Sequence, residues 1–354
     1  MRYIIIGAGA IGGTVGGRLA ESGHDVVLVA RGAHYEAVRE RGLRVRTSDG
    51  TREHRLPVIQ TPAELGELRP DDVLFLAVKT QDCEAALDAW SGRPVAGGGT
   101  AGEVLPLVCA QNGVESERIA LRRFRRVYGM CVWLPATHVE PGSVSAAGAP
   151  YTGILHIGRY PKGTDDTARL VAADLEKSKL LAPVVADVMR WKYGKLLSNL
   201  ANAIEAVTGP LSGDEAVALY RRARAEGEAV LAAAGIEAVS EQEQKETRGD
   251  RIRLEPLDGS ERGGGSSWQS LSRGTGTIEA DYLNGEITLL GRLHGVPTPV
   301  NATLQSVANA FARERRAAGS MPVAELLGLV AQAEERAGQR AGDRAGDRAQ
   351  ERPS

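Results

Sequence analysis

The 354-residue chain is short of the residues that build metal centres and disulfide frameworks, with three cysteines and six histidines. Cys83, Cys109 and Cys131 show no CxxC spacing, and two of them stand in apolar, strand-like surroundings, so they read as reduced core thiols of a cytosolic protein. The histidines are scattered without an HxxxH or His/Cys cluster, which gives no reason to expect a metal. An excess of one charge is also missing. With 43 Lys and Arg against 45 Asp and Glu the formal charge is -2, so no global field draws the chain to nucleic acid or to an anionic membrane. The short basic run Arg122-Arg-Phe-Arg-Arg126 reads as a solvated helix face. No apolar run approaches the length of a membrane span, and the first apolar run is a glycine-interrupted strand rather than a signal sequence, so the expected location is the cytoplasm. What is plentiful is apolar content, 42% of the chain, enough for a substantial core divided between two domains.

The most informative segment is the first. Met1-Arg-Tyr-Ile-Ile-Ile runs into Gly7-Ala8-Gly9-Ala10-Ile11-Gly12 and then into a helical stripe of Ile11, Val15 and Leu19, with Asp25-Val-Val-Leu-Val29 as the next buried strand. A strand, a G-x-G-x-x-G turn and a helix in that order form a dinucleotide site: the first glycine permits the tight turn, the second lets backbone approach a pyrophosphate, and the third lets helix pack on strand. The helix N-terminus then offers free N–H groups to the phosphates. After the second strand a site selecting NAD would carry Asp or Glu, whereas this chain reads Val29-Ala30-Arg31-Gly32. A carboxylate would repel a 2′-phosphate and Arg31 would attract one, so NADP(H) is favoured; the plainer alternative is a solvated loop arginine.

Strand and helix patterns alternate through the first half, which predicts a doubly wound, mostly parallel sheet with helices on both faces. Leu43–Thr47 and residues 54–59 flank Ser48-Asp-Gly50 as an expected hairpin. Residues 72–78 form a buried strand ending at Lys79-Thr80-Gln81, and residues 104–110 another ending at Gln111-Asn112-Gly113. Ligands of open α/β sheets sit beyond the carboxyl ends of strands, which puts Lys79 and Asn112 on the same crevice as the glycine turn. Short strands with Pro-Gly and glycine-rich turns are expected over 127–157. The domain division is therefore 1–185 for the dinucleotide domain and 186–333 for a helical domain. Residues 240–265 read as a mobile surface connection and 334–354, with Arg-Ala-Gly-x repeats and no apolar stripe, as a frayed tail.

In the second half, Arg190-Trp-Lys192-Tyr-Gly-Lys195-Leu-Leu-Ser-Asn199-Leu-Ala-Asn202 places Lys192, Lys195, Asn199 and Asn202 near one line of a helix. Such a stripe is either a solvent face or the wall of a wet cleft with Lys195 directed at a carbonyl. Further on, Ser266, Ser267, Thr277, Glu279 and Asp281 precede an apolar helix; taken locally, Ser267 or Thr277 is a helix cap and Glu279 a first-turn acid.

Taken together, Gly7-Ala-Gly9-Ala-Ile-Gly12, Val78-Lys79-Thr80, Gln111-Asn112-Gly113, Lys195-Leu-Leu-Ser-Asn199, Ser266-Ser267 and Glu279-Ala-Asp281-Tyr-Leu-Asn284-Gly285 resemble the ketopantoate reductase family, in the family's order across about residues 1–310. The resemblance implies a Rossmann domain, an all-helical C-terminal domain like that of 6-phosphogluconate dehydrogenase, and NADPH-dependent reduction of a 2-keto acid in the cleft between them. It assigns Lys195 as the catalytic lysine, Lys79 and Asn112 to the cofactor and substrate, and Asn199, Ser267 and Glu279 to the substrate, with Glu279 also placed beside the chemistry. A lysine ammonium suits this reaction, since hydride arriving at a ketone carbon leaves negative charge on oxygen. At an ordinary pKa of about 10.4 the acid form is present at neutral pH, and no metal is needed.

The chain departs from the family pattern at Ala203, Gly213 and Gly264, where asparagine is usual, and at Ser270-Leu271. That leaves the keto acid open: ketopantoate leads, with a related branched 2-keto acid or a secondary-metabolite intermediate next. A non-catalytic NADP(H)-binding redox sensor is the rival from another class. The helical half also offers faces for a homodimer, since apolar helix faces serve dimer contacts and core alike.

Overall fold

The computed structural model describes residues 1–257, 264–274 and 276–350, with side chains as far as 339. The chain forms two compact units, Met1–Lys195 with Ala238–Arg262, and Leu196–Glu237 with Gly263–Ser354. The division falls inside the Val188–Asn199 helix, later than the expected 185/186, and a segment of the second half returns to the first unit.

The first unit is built on an eight-stranded sheet whose strands lie in the order Leu180–Leu181, Gly153–Arg159, Arg126–Trp133, Pro106–Cys109, Asp72–Leu76, Arg2–Ile6, Asp25–Val29, Val58–Ile59. Every pairing is parallel except Gly153–Arg159 against Arg126–Trp133. Alternate side chains of a strand face opposite sides, and here both sides are covered. Tyr3 and Ile5 join one buried cluster with Val15, Leu19 and Phe75, while Ile4 and Ile6 join another with Leu74, Leu87 and Trp90. The continuous apolar run Tyr3-Ile-Ile-Ile6 is what a sheet buried on both faces requires.

A second, four-stranded sheet holds Gly50–His54, Leu43–Thr47, Ser143–Ala146 and Ala136–Glu140. The hairpin expected around Ser48-Asp-Gly50 exists, but its second arm is the exposed, polar Gly50–His54, in register with Leu43–Thr47. Residues 58–59 instead add a short parallel strand to the large sheet beside Asp25–Val29. The apolar residues past His54 pointed to the wrong arm because the true one is exposed from Gly50 to Glu53.

Two further expectations are corrected. Within 240–265, Glu241–Arg248 is a helix capped by Ser240, which accepts from Glu243 N at 3.1 Å, and Ile252–Leu254 pairs antiparallel with Gly148–Pro150; residues 258–263 lie outside the described residues. The segment is anchored by long-range pairing that its local polarity does not reveal. The backbone of 334–350 continues the Val323–Gln350 helix rather than fraying, since alanine and arginine are strong helix formers even without an apolar stripe; residues 351–354 are outside the described residues. The second unit is otherwise helical, through Ala201–Thr208, Asp214–Ala233, Ser266–Ser272, Asn284–His294, Pro299–Arg313 and Val323–Gln350.

Cys83, Cys109 and Cys131 are buried thiols outside any disulfide. Burial pushes Cys109 well up and Cys131 to about 11, so both stay protonated. Among the described residues no helix is long and apolar enough to cross a membrane, and no three His, Cys, Asp or Glu side chains group as metal ligands.

Candidate active site

The three glycines of the first turn do three different things. Gly7 has φ +101°, and a Cβ there would come 2.8 Å from the Val78 backbone nitrogen, so only glycine fits. A Cβ on Gly12 would lie 2.1 Å from the Gly7 carbonyl oxygen, which makes it the contact between helix and turn. Gly9 has no heavy atom within 4 Å of its Cβ position and faces open space. The Gly7 and Ala8 amides both donate to Val29 O, at 3.2 and 3.0 Å, tying the turn to the neighbouring strand. The helix that follows, Ala10–Glu21, has no side-chain cap at Gly9 and no acidic residue in its first turn, so the Ala10 and Ile11 N–H groups have no side chain in front of them. Space above Gly9 and an uncapped, electropositive helix start fit a pyrophosphate.

The carboxyl ends of neighbouring strands carry the next candidates in order. Arg31 follows Asp25–Val29, caps the Gly32–Arg41 helix, and extends an exposed side chain to within 3.7 Å of Asp82 Oδ1. Lys79, half-buried, follows Asp72–Leu76 and precedes a one-turn helix from Thr80. Asn112 follows Pro106–Cys109 and is half-buried, whereas its neighbour Gln111 is buried and donates to Cys83 Sγ at 3.3 Å. The next strand, Arg126–Trp133, presents the carbonyl of Val132, its penultimate residue, and that oxygen accepts from Lys195 Nζ. Lys195 therefore stands at the same edge of the sheet as the glycine turn, Lys79 and Asn112. Arg126–Trp133 lies three strands from Arg2–Ile6, about 14 Å across the sheet, and Val132 stands three residues beyond Gly129, which is level with Cys109, about 10 Å further along the strand direction.

The Lys195 ammonium is part-buried, and its pKa falls to about 8, chiefly through burial, with Cys131 opposing the fall and Lys192 on the same helix adding to it. That corrects the ordinary value assumed from sequence. The acid form still predominates at neutral pH, now with a pKa close to the working range, where proton transfer is most efficient.

Lys192 itself is not part of a wet stripe. It is 3% exposed and forms an ion pair with Glu117, which is fully buried on the Ser116–Leu121 helix just after the Asn112 turn. Among the described residues Glu117 Oε2 has no hydrogen-bond partner, and burial raises the carboxyl's pKa against the pull of Lys192. Gly129 makes room for Val188, since a Cβ there would lie 2.8 Å from Val188 Cγ1, and it faces Glu117 Oε1 at an ordinary contact distance of 3.4 Å. Glu117 went unnoticed in the sequence, and nothing but its place five residues after Asn112 could have pointed to it.

The second unit holds the remaining sequence candidates. Asn199 ends the Val188–Asn199 helix with a buried Nδ2 that has no hydrogen-bond partner among the described residues. Ser267 is 3% exposed inside the first turn of Ser266–Ser272, where Gly265 occupies the cap position, so the capping reading is wrong for it. Glu279 is half-buried at the start of the one-turn helix Ala280–Tyr282. Asn202 donates to Ser266 Oγ at 3.4 Å, and Glu205 accepts from Gly265 N at 3.1 Å. Ala203 is buried, while Gly213 and Gly264 have φ +84° and +127°, backbone that asparagine does not favour. Asn284 is fully buried and structural, donating to Leu200 O and to Asn301 Oδ1 at 3.3 and 3.0 Å.

The basic run 122–126 borders a surface cavity of about 440 Å³ at the amino ends of Pro106–Cys109 and Arg126–Trp133. Its arginines are engaged: Arg123 with Asp88, Arg125 with Glu103 at 3.8 Å, and Arg126 with Val104 O at 3.0 Å.

The chain is similar to known proteins over most of its length. The family model described as ketopantoate reductase PanE/ApbA matches residues 3–162, and that described as ketopantoate reductase PanE/ApbA C terminal matches residues 187–312. The 2-dehydropantoate 2-reductase of Archaeoglobus fulgidus is 31% identical over 309 residues, covering 86% of this chain and 95% of that protein. Among solved structures, a PanE/ApbA family ketopantoate reductase from Ralstonia eutropha JMP134 is 26% identical with a TM-score of 0.72, covering 89% of this chain and all of that one. A D-mandelate dehydrogenase solved with NADH and anilino(oxo)acetate shares the fold at 22% identity and a TM-score of 0.73, covering 90% of this chain and all of that one.

Proposed function

This chain belongs to the ketopantoate reductase family of oxidoreductases acting on CH–OH groups, and from that premise we propose that it reduces a 2-keto acid to the 2-hydroxy acid with NADPH, using Lys195 as general acid. The observation that carries the reading is the Lys195 ammonium, drawn down to a pKa of about 8 and held at the carboxyl edge of the sheet that also bears the glycine turn. The nicotinamide, when bound, supplies a hydride to the ketone carbon. The protein's own part is electrostatic and protic. As the C=O π electrons move onto oxygen, Lys195 stabilises the developing charge and then transfers its Nζ proton, leaving a neutral amine and an alcohol. The amides at the start of Ala10–Glu21 hold the pyrophosphate, and Arg31 meets a 2′-phosphate. Lys79 and Asn112 orient the reacting ends. Asn199, Ser267 and Glu279 take the substrate's carboxylate and hydroxyl oxygens.

Ketopantoate is the first candidate substrate. A second reading, a different branched 2-keto acid, is favoured by one observation: Ala203, Gly213 and Gly264 remove three amides, and each substrate oxygen left unpaired in a buried site costs about 1–3 kcal/mol. A steady-state panel of 2-keto acids with NADPH and NADH tests both. Turnover of ketopantoate with NADPH supports the first, preference for another acid supports the second, and no turnover of any 2-keto acid overturns the proposal.

A further inference from the structure

The Gly32–Arg41 helix begins with Arg31 and carries His34 one turn on, and His34 touches the glycine turn itself. Its Nε2 lies 2.8 Å from the carbonyl oxygen of Ala8, the residue between the first two glycines. The other ring nitrogen, Nδ1, accepts from the backbone N–H of Gly142 at 2.9 Å, so in the neutral ring the proton resides on Nε2 and is donated to Ala8. His138 brings its own Nε2 to 3.1 Å from His34 Nδ1, with the two ring centroids 4.7 Å apart. Burial lowers the pKa of His34, which favours that neutral ring.

We propose that His34 is a positioning residue for the dinucleotide, holding the peptide between Ala8 and Gly9 in the orientation that binds a phosphate. This rests on the reading of Gly7–Gly12 as the cofactor turn. The argument is geometric. In a trans peptide the C=O and the following N–H point in opposite directions. Anchoring Ala8 O on His34 therefore aims the Gly9 N–H away from the ring. Among the described residues that N–H has no acceptor, and the Gly9 Cβ position faces open space. Ala8 N is tied as well, to Val29 O at 3.0 Å, so the turn is fixed from both sides of Ala8. The four-stranded sheet thereby gains a purpose. Its strands Ala136–Glu140 and Ser143–Ala146 are joined through Gly142, whose φ of +84° and close approach to Ala37 deliver the N–H that sets the His34 tautomer.

The test is dinucleotide affinity, read by quenching of tryptophan fluorescence on titration with NADPH, for the full chain and for His34→Ala and His34→Gln. Loss of one hydrogen bond to a half-buried carbonyl predicts about tenfold weaker binding for His34→Ala. Glutamine offers both an N–H for Ala8 and an oxygen for Gly142, and is expected to recover affinity to within about threefold of wild type. Wild-type affinity in His34→Ala overturns the proposal, as does equal weakening in both variants. Should the alanine variant fail to fold, the imidazole tautomer of the unaltered protein decides by nitrogen NMR: a proton on Nε2 upholds the proposal and one on Nδ1 overturns it. If the wild-type protein binds neither NADPH nor NADH, the cofactor reading fails first and this inference falls with it, an outcome distinct from normal binding that ignores His34.

Discussion

Replacing Lys192 by methionine isolates the energetics of the buried pair behind the candidate acid. The substitution keeps the side chain's length and removes its charge, leaving Glu117, which has no exposed surface, with neither oxygen paired. The stranded carboxylate escapes by taking a proton. Holding a carboxyl with an ordinary pKa of about 4.3 in its neutral form costs about 3.7 kcal/mol at pH 7 and about 1 kcal/mol at pH 5, at 1.36 kcal/mol per unit. Those figures are ceilings, because burial has already raised the Glu117 pKa. Lys192→Met is thus expected to lose up to about 3.7 kcal/mol at pH 7, in line with the roughly 3–5 kcal/mol seen when one partner of a buried pair is deleted. Most of the deficit should vanish by pH 5. In the double variant Lys192→Met/Glu117→Leu the uncompensated charge is gone, and replacing a buried pair by apolar side chains is close to neutral. Urea unfolding of the three proteins at both pH values makes the comparison. The reasoning is refuted if the single variant is as stable as wild type at pH 7, if its deficit does not shrink at pH 5, or if the double variant is the less stable.

The same pair bears on acidity. Because the acid form of Lys195 is the working one, kcat/KM for keto acid reduction should fall tenfold per unit as pH rises above about 8. In the double variant, with the neighbouring positive charge gone, that limb should move upward; a limb that stays at the same pH in both proteins contradicts the assignment. Arg31→Ala should swing cofactor preference toward NADH in steady-state assays with both cofactors, since Arg31 is exposed and held only loosely by Asp82 at 3.7 Å. An unchanged ratio removes Arg31 from the 2′-phosphate.

Local chemistry made part of this molecule legible in advance. The order of strand, Gly7–Gly12 turn and helix is dictated by what one backbone segment must do, so the turn, the neighbouring strands and the placement of Lys79 and Asn112 at strand ends could be read without coordinates. Long-range pairing could not. Lys192 lies 75 residues from Glu117, and a lysine at three-residue spacing from Lys195 looks alike whether it faces water or a buried carboxylate. Residues 240–265 read as mobile because their polarity is local, while the contacts that fix them, Ser240 aside, are with Arg190 and with the Gly148–Pro150 strand. His34 followed Arg31 at helical spacing in plain view. Its significance depends on Gly142, more than a hundred residues away, and on a tautomer that no pattern records.

The central claim is that Lys195 supplies the proton. Its most direct test is a paired measurement on Lys195→Met: turnover of the best 2-keto acid with NADPH, and NADPH affinity by direct titration. The account predicts a fall in kcat of about 10²–10⁴-fold, with the dissociation constant for NADPH essentially unchanged. Turnover within a few-fold of wild type would contradict it.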